Sequence, residues 1–277
     1  MALVVNTNMP SIMIENMLNN TNDSLNNDLT QLSSGLRINS AADDPAGYAI
    51  GNAFKASIAS MNVASQNASQ AQSMLQTADG AYSQINNIMV QMSSLATEAA
   101  SGQESSTNLA SLNNEFQDLA SEINQIANST VYGGTTLLAN GSGSVSVTFQ
   151  VGDVNSANDQ FLVTMSSATT TDLGLTSLNL SSNANAQAAM TALDNALTSI
   201  NTMMGNIGGY QNQLTYLTSN LTTSIQNYTS SESTIMDVDM ASAVSDMTKQ
   251  QILEQSAMSM LAQANQDPQQ ILKLLQG

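Results

Sequence analysis

"IGNAFKASIASMNVASQNASQAQSMLQTADGAYSQINNIMVQMSSLATEAA", residues 50–100, decides the fold. Apolar or small side chains recur in it at Ile50, Ala53, Ser57, Met61, Ala64, Ala68, Ala71, Leu75, Ala78, Tyr82, Ile85, Met89, Met92, Ala96 and Ala99. These positions span 49 residues in 14 steps, a mean of 3.5, which is the heptad period of helices wound around one another. The stretch is predicted to be one long coiled-coil helix, reaching roughly 75 Å at about 1.5 Å per residue. Seven of the fifteen positions are Ala. At about 0.8 kcal/mol per buried methylene such a seam is lean, so stability is expected to come from length and many partners.

Working outward, a second seam runs through Ala186, Ala189, Leu193, Ala196, Ile200, Met203, Ile207, Tyr210, Leu214, Leu217, Leu221, Ser224 and Tyr228. A third, shorter one is Leu109, Leu112, Phe116, Leu119, Ile123 and Ile126. A turn near Gly102 makes the first and third helices antiparallel neighbours, which predicts an elongated bundle. Gly205, Gly208 and Gly209 interrupt the second seam, where a kink or a close helix contact is expected. Between the seams, "SVSVTFQVG" places Val145, Val147, Phe149 and Val151 on alternate positions, the period of a half-buried strand. "QFLVTM" repeats the pattern after the turn-rich "GDVNSAND", so a small β-hairpin region is expected over roughly 131–180.

"LSSGLRINSAADDPAGYAI", residues 32–50, reads as a corner between two helices. Ser33-Ser34-Gly35 ends one, because Gly tolerates the left-handed backbone of a C-cap. Asp43-Asp44-Pro45 starts the next, with a carboxylate cap and a proline in the first turn. Arg37 is read as a tether to a carboxylate or to the carbonyls of the ended helix, or else as a solvated loop side chain. Ile14, Leu18, Leu25, Leu29, Leu32 and Leu36 form one stripe near the start, and Leu253, Ala257, Met260, Leu261 and Ala264 another before Asp267-Pro268. Single helices with such stripes are marginal in water. Both ends are expected to be disordered alone and ordered against each other or other copies.

Composition narrows the function. The 277 residues hold four Lys and Arg against 21 Asp and Glu, a net charge of -17, with no Cys, His or Trp. Thiol chemistry, disulfides, histidine zinc sites and triads with a histidine base are excluded. Asp43-Asp44 is read as a helix cap rather than a catalytic pair, and no enzyme, cofactor or metal site is expected. The methionines are read as flexible packing in the seams. Between Lys55 and Lys249 no cation occurs, so a phosphate backbone would be repelled and no nucleic-acid partner is expected. No window approaches the roughly 20 apolar residues of a membrane span, and "MALVVNTNMPSIMIENM" lacks the features of a cleaved secretory signal.

The two terminal motifs carry a family resemblance. "LSSGLRINSAADDPAGYAI" resembles the N-terminal signature of the bacterial flagellins, and "IMDVDMASAVSDMTKQQILEQSAMSMLAQANQDPQQILKLL" the C-terminal one. "TFQVG" is similar to the start of the family's hairpin. The resemblance implies a mainly α fold: an elongated antiparallel coiled-coil helical bundle with a small β-hairpin region, plus N- and C-terminal helices pairing in the filament core. It divides the chain into an inner-core helix and connector at 1–43, bundle segments at 44–130 and 181–233, the hairpin region at 131–180, and a second inner-core helix at 234–277. The family's large, variable outer domains have only 131–180 left for them.

The same resemblance implies a subunit that polymerises into the filament used for swimming, with a hook-filament junction protein as the alternative. Leu18, Leu25, Leu29, Leu32, Leu253, Ala257 and Leu261 would pack the core helices, and Arg37, Asp43 and Asp44 would sit where connectors contact neighbouring subunits. Expected partners are further copies of the chain, an export chaperone and the secretion apparatus, and cap and junction proteins. No membrane insertion is implied, and the location is extracellular, reached through the flagellar export channel. "VQMSSLATEAA" corresponds to the segment read by the vertebrate innate flagellin receptor. Leu95 and Glu115 match that pattern, whereas Gln91 and Ser93 stand where the family often has arginines. The charge of -17 leaves two readings open: compensation by salt, divalent cations or acid, or carboxylates dispersed on a wet surface.

Overall fold

The structure, a computed structural model, describes residues 7–276 other than 140 and 142, with side chains described to residue 266. The described elements are mainly helical: α1 (Met9–Ser34), α2 (Pro45–Ala99), α3 (Ser106–Ser129), α4 (Asn183–Met236) and α5 (Met240–Gln276). Between α3 and α4 lie the two-residue strands β1 (Val131–Tyr132) and β2 (Thr135–Thr136) and the longer β3 (Ser144–Gln150) and β4 (Gln160–Ser166). β1 pairs with β2, and β3 with β4, both antiparallel. The chain forms two compact units, one of Ala59–Ile225 and one of Met1–Ile58 with Gln226–Gly277.

In the unit Ala59–Ile225 the heptad reading of α2 holds position by position, while along α3 and α4 Leu109, Leu112, Ile126, Met203, Tyr210, Leu217 and Ser224 are half-buried. All twelve seam residues from Met61 to Ala99 are buried. From Ala68 onward they meet Phe116, Leu119 and Ile123 of α3 and Ala186, Ala189, Leu193, Ala196, Ile200, Ile207 and Leu214 of α4 in one apolar cluster, while Met61 and Ala64 form a smaller one with Leu221 of α4. The hairpin region joins the same core rather than standing apart. Val145 faces Met165, Val147 faces Val163 and Phe149 faces Phe161 across β3 and β4, and the buried Leu137, Leu138, Leu175 and Leu180 add to the cluster. The Tyr82 hydroxyl donates to the carbonyl of Ser166, Phe161 stacks edge-on against Tyr210 at 5.8 Å, and burial pushes the Tyr82 phenol up.

Two seam expectations need correction. α4 is an unbroken helix through Gly205, Gly208 and Gly209, and a Cβ on any of the three would meet nothing within 4 Å. They do not mark a close helix contact. At its other end the first seam is misplaced: Ile50 and Ala53 are exposed and Ser57 is half-buried, while Gly47 and Gly51 are buried and Phe54 and Ile58 half-buried. The inward stripe there is 47, 51, 54 and 58, one residue away from the apolar one. Glycine carries it because the backbone must come close: a Cβ on Gly51 would stand 2.7 Å from Met236 Cγ.

Candidate functional site

The second unit contains the corner and both terminal helices, and its geometry begins at Gly35. With φ at 73° this residue closes α1 in the left-handed region, its N–H donating to the Gln31 carbonyl at 2.8 Å. The chain then runs antiparallel to the segment that leaves α4. Leu36 bridges Asp237, Arg37 N–H donates to the Met236 carbonyl at 2.6 Å, and Val238 N–H donates to the Gly35 carbonyl at 3.0 Å. The Arg37 guanidinium donates to the Ile235 carbonyl at 2.6 Å, placing a cation on the unpaired C-terminal carbonyls of α4, where the helix dipole favours it. The arginine therefore tethers a helix, though α4 rather than the α1 that has just ended.

Asp43 and Asp44 fold the rest of the corner. Asp43 accepts from the Ser40 and Asn39 N–H groups at 2.8 and 3.0 Å, and these bonds hold its carboxyl below the usual range. Asp44 Oδ1 accepts from Ala46 and Gly47 N–H at 3.1 and 2.9 Å, capping α2 ahead of Pro45. Buried Ile38 lies beneath. Along the start of α2 and the end of α4, Phe54 meets Tyr228 edge-on at 5.4 Å and Lys55 pairs with Glu232 at 3.6 Å. That is the one ion pair among the described residues.

α1 and α5 pack together with an unusual division of side chains. Their buried positions are small: Ser11 and Thr21 on α1, Ala243, Ala257 and Ala264 on α5. Asn8 Nδ2 donates to the Ala264 carbonyl at 2.8 Å and Ser11 Oγ to Asn265 Oδ1 at 3.1 Å. The large apolar side chains lie outside, among them Ile12, Met13, Met17, Val244, Ile252 and Met258. Of the expected packing leucines, Leu18, Leu25, Leu32 and Leu261 are half-buried, while Leu29 and Leu253 remain 46% and 42% exposed. The reason is geometric: a helix with one neighbour buries one stripe, and these apolar faces are wider than one stripe. An open groove of about 460 Å³ runs along this pair, lined by Met13, Asn16, Met17, Asn20, Thr21 and Gln250.

One contact in the pair is unfavourable. Asp28 Oδ2 is buried without a hydrogen-bond partner. Desolvation, and then the carboxylate of Asp246 on α5, raise its pKa above the ordinary aspartate value. Just above the ordinary aspartate range, folded Asp28 therefore binds more proton than the unfolded chain does. Pairing of α1 with α5 is fully supported below the ordinary carboxylate range, and weakens as pH rises until Asp28 is ionised in both states. We expect Asp28→Asn to flatten that slope and to strengthen the pairing at neutral pH, read by circular dichroism melting of the terminal helices between pH 3 and 7. An unchanged slope would contradict the assignment.

On α2, Gln91 is exposed and Leu95 is only 8% exposed within the core; Glu115 on α3 is exposed. Among the described residues no three carboxylates cluster as a metal site, and no helix is long and apolar enough to cross a membrane.

Known proteins align with this architecture along its whole length. The pattern of the bacterial flagellin N-terminal helical region matches residues 5–142, and that of the bacterial flagellin C-terminal helical region residues 190–275. The chain is 34% identical to a flagellin of Halalkalibacterium halodurans, over 99% of this chain and 100% of that protein. It is also 34% identical to the flagellar filament 33 kDa core protein of Treponema phagedenis, again over 99% and 100%. A solved flagellar hook-associated protein structure from Vibrio parahaemolyticus, 15% identical, covers 70% of this chain and 99% of its own with a TM-score of 0.57, a likeness of fold alone. With two family regions and full-length relatives in agreement, this chain belongs to the bacterial flagellin family.

Proposed function

We propose that the protein is the structural subunit of a helical flagellar filament, a homopolymer in which neighbouring copies cover the outer faces of α1 and α5. The observation that carries this reading is the inverted burial of that pair, with alanine, serine and threonine at its buried positions and Ile12, Ile252, Val244, Leu29, Leu253 and six methionines exposed. Exposed apolar faces mark interaction surfaces, and a polymer of identical copies supplies a partner to each of them. The full-length relatives named as flagellin and as a filament core protein support it. The chain acts by assembly and carries no catalytic step.

Arg37, Asp43 and Asp44 take their place in this reading at the joint between copies. Their intrachain bonds stiffen a corner that remains largely exposed, ready to meet a neighbour. Export proceeds through the flagellar channel, with a chaperone holding the C-terminal helix beforehand and cap and junction proteins meeting the subunit at the growing and basal ends. The protein's working location is then outside the cell.

Electron microscopy of the purified protein tests the reading: micrometre-long filaments of helical symmetry are expected, whereas short rings or a persistent monomer would reject it. Rings would point to the junction protein. The receptor-equivalent segment carries a separate expectation. With Gln91 and Ser93 in place of arginines and Leu95 enclosed, innate-receptor signalling at matched concentration is expected to be weak, and potency equal to an arginine-bearing flagellin would contradict this.

A further inference from the structure

The methionines divide by exposure in a way that seam packing does not explain. In the unit Ala59–Ile225, Met61, Met74, Met89, Met92 and Met165 are buried. Met9, Met13, Met17, Met240, Met258 and Met260 are 48–68% exposed, and all six lie on α1 and α5. They stand on the outer faces described above, and Met13 and Met17 line the groove there.

We infer that these six methionines make the unassembled subunit peroxide-sensitive, their conversion to sulfoxides blocking its incorporation into the polymer. The assembly half of this inference rests on the filament reading; the oxidation half rests on exposure alone. The chemistry needs only a peroxide. A thioether sulfur lone pair attacks one peroxide oxygen, the O–O bond breaks as the S–O bond forms, and the departing hydroxide takes the remaining proton to become water. Sulfur gives up two electrons and the peroxide accepts them. Susceptibility follows exposure, and the chain has no Cys or Trp to intercept the oxidant first.

The consequence follows from burial. Each sulfoxide turns a flexible apolar side chain into a polar one. The monomer tolerates it in water. A contact that excludes water leaves the sulfoxide oxygen unpaired, which corresponds to about a tenfold rise in the concentration left unassembled for each one buried. Once assembled, the same sulfur atoms are covered, so the sensitivity belongs to the free subunit and to subunits in transit.

The full chain, kept monomeric and treated with hydrogen peroxide, supplies the test. Peptide mass spectrometry is expected to find oxygen added at the six exposed methionines before Met61, Met89 and Met92; oxidation at equal rates across both sets would overturn the site assignment. The oxidised protein is then expected to leave at least about tenfold more material unsedimented under assembly conditions, and methionine sulfoxide reductases are expected to restore assembly. A variant with Leu at all six positions is expected to assemble alike before and after peroxide. Peroxide-treated wild type that assembles as well as untreated protein would overturn the gate. Failure of the untreated chain to assemble is a different result, and it overturns the filament reading itself.

Discussion

Ile252→Asp combined with Leu253→Asp leaves the subunit monomeric at concentrations where the unaltered chain forms filaments, with little change in the monomer's melting. Both side chains face outward in the single chain, 59% and 42% exposed, so two carboxylates there remain solvated and shift monomer stability by no more than about 0.5 kcal/mol. In a polymer the same positions lose their water. Burying an unpaired charge carries a penalty of several kcal/mol, and about 2.8 kcal/mol already corresponds to a hundredfold in assembly. The chain's excess of 21 acidic over four basic side chains leaves few cations in a neighbour to compensate. Sedimentation across a concentration series reads the effect. Filaments at the usual concentration would show that α5 does not lie in a subunit contact.

The same Gly→Ala change is expected to have opposite signs at two places. At Gly51 a new Cβ would stand 2.7 Å from Met236 Cγ, and Met236, 1% exposed, has no open side to retreat to. Overpacking of this kind costs about 1–3 kcal/mol, more than the fraction of a kcal/mol that replacing a helical glycine returns. At Gly205, Gly208 and Gly209 the Cβ meets open space, so only the gain remains, up to about 1 kcal/mol each. Urea unfolding followed by circular dichroism separates them. Met236→Ala, which clears the site, is expected to relieve much of the Gly51→Ala loss in a double-mutant cycle. Additive losses would show that the two residues do not press on each other.

This pair of cases marks how far the sequence could be read. From Met61 to Ala99 seam spacing and observed burial coincide, because other elements pack on that face and every seam position is covered. From Gly47 to Ile58 they part, because a count of apolar residues passes over glycine, the residue a close backbone approach requires. The helix ends at Gly35 and Pro45 were legible, since caps and turns are local chemistry. Arg37's acceptor, the Ile235 carbonyl 198 residues along the chain, was not, because nothing in the local residues announces a distant helix end. The outward Leu29, Leu253 and methionines of α1 and α5 belong with it: periodicity reveals a greasy face, and only the fold shows whether the chain itself covers it. Asp28 opposite Asp246 is illegible for the same reason.

Amide hydrogen exchange on dilute monomer and on assembled protein tests the central claim, that α1 and α5 have their apolar faces covered by other copies. The account predicts fast exchange along α1 and α5 in the monomer, slow exchange over 61–99 and 186–221, and protection of both terminal helices on assembly. Monomer in which α1 and α5 already exchange as slowly as 61–99, with no further protection in the polymer, would contradict it.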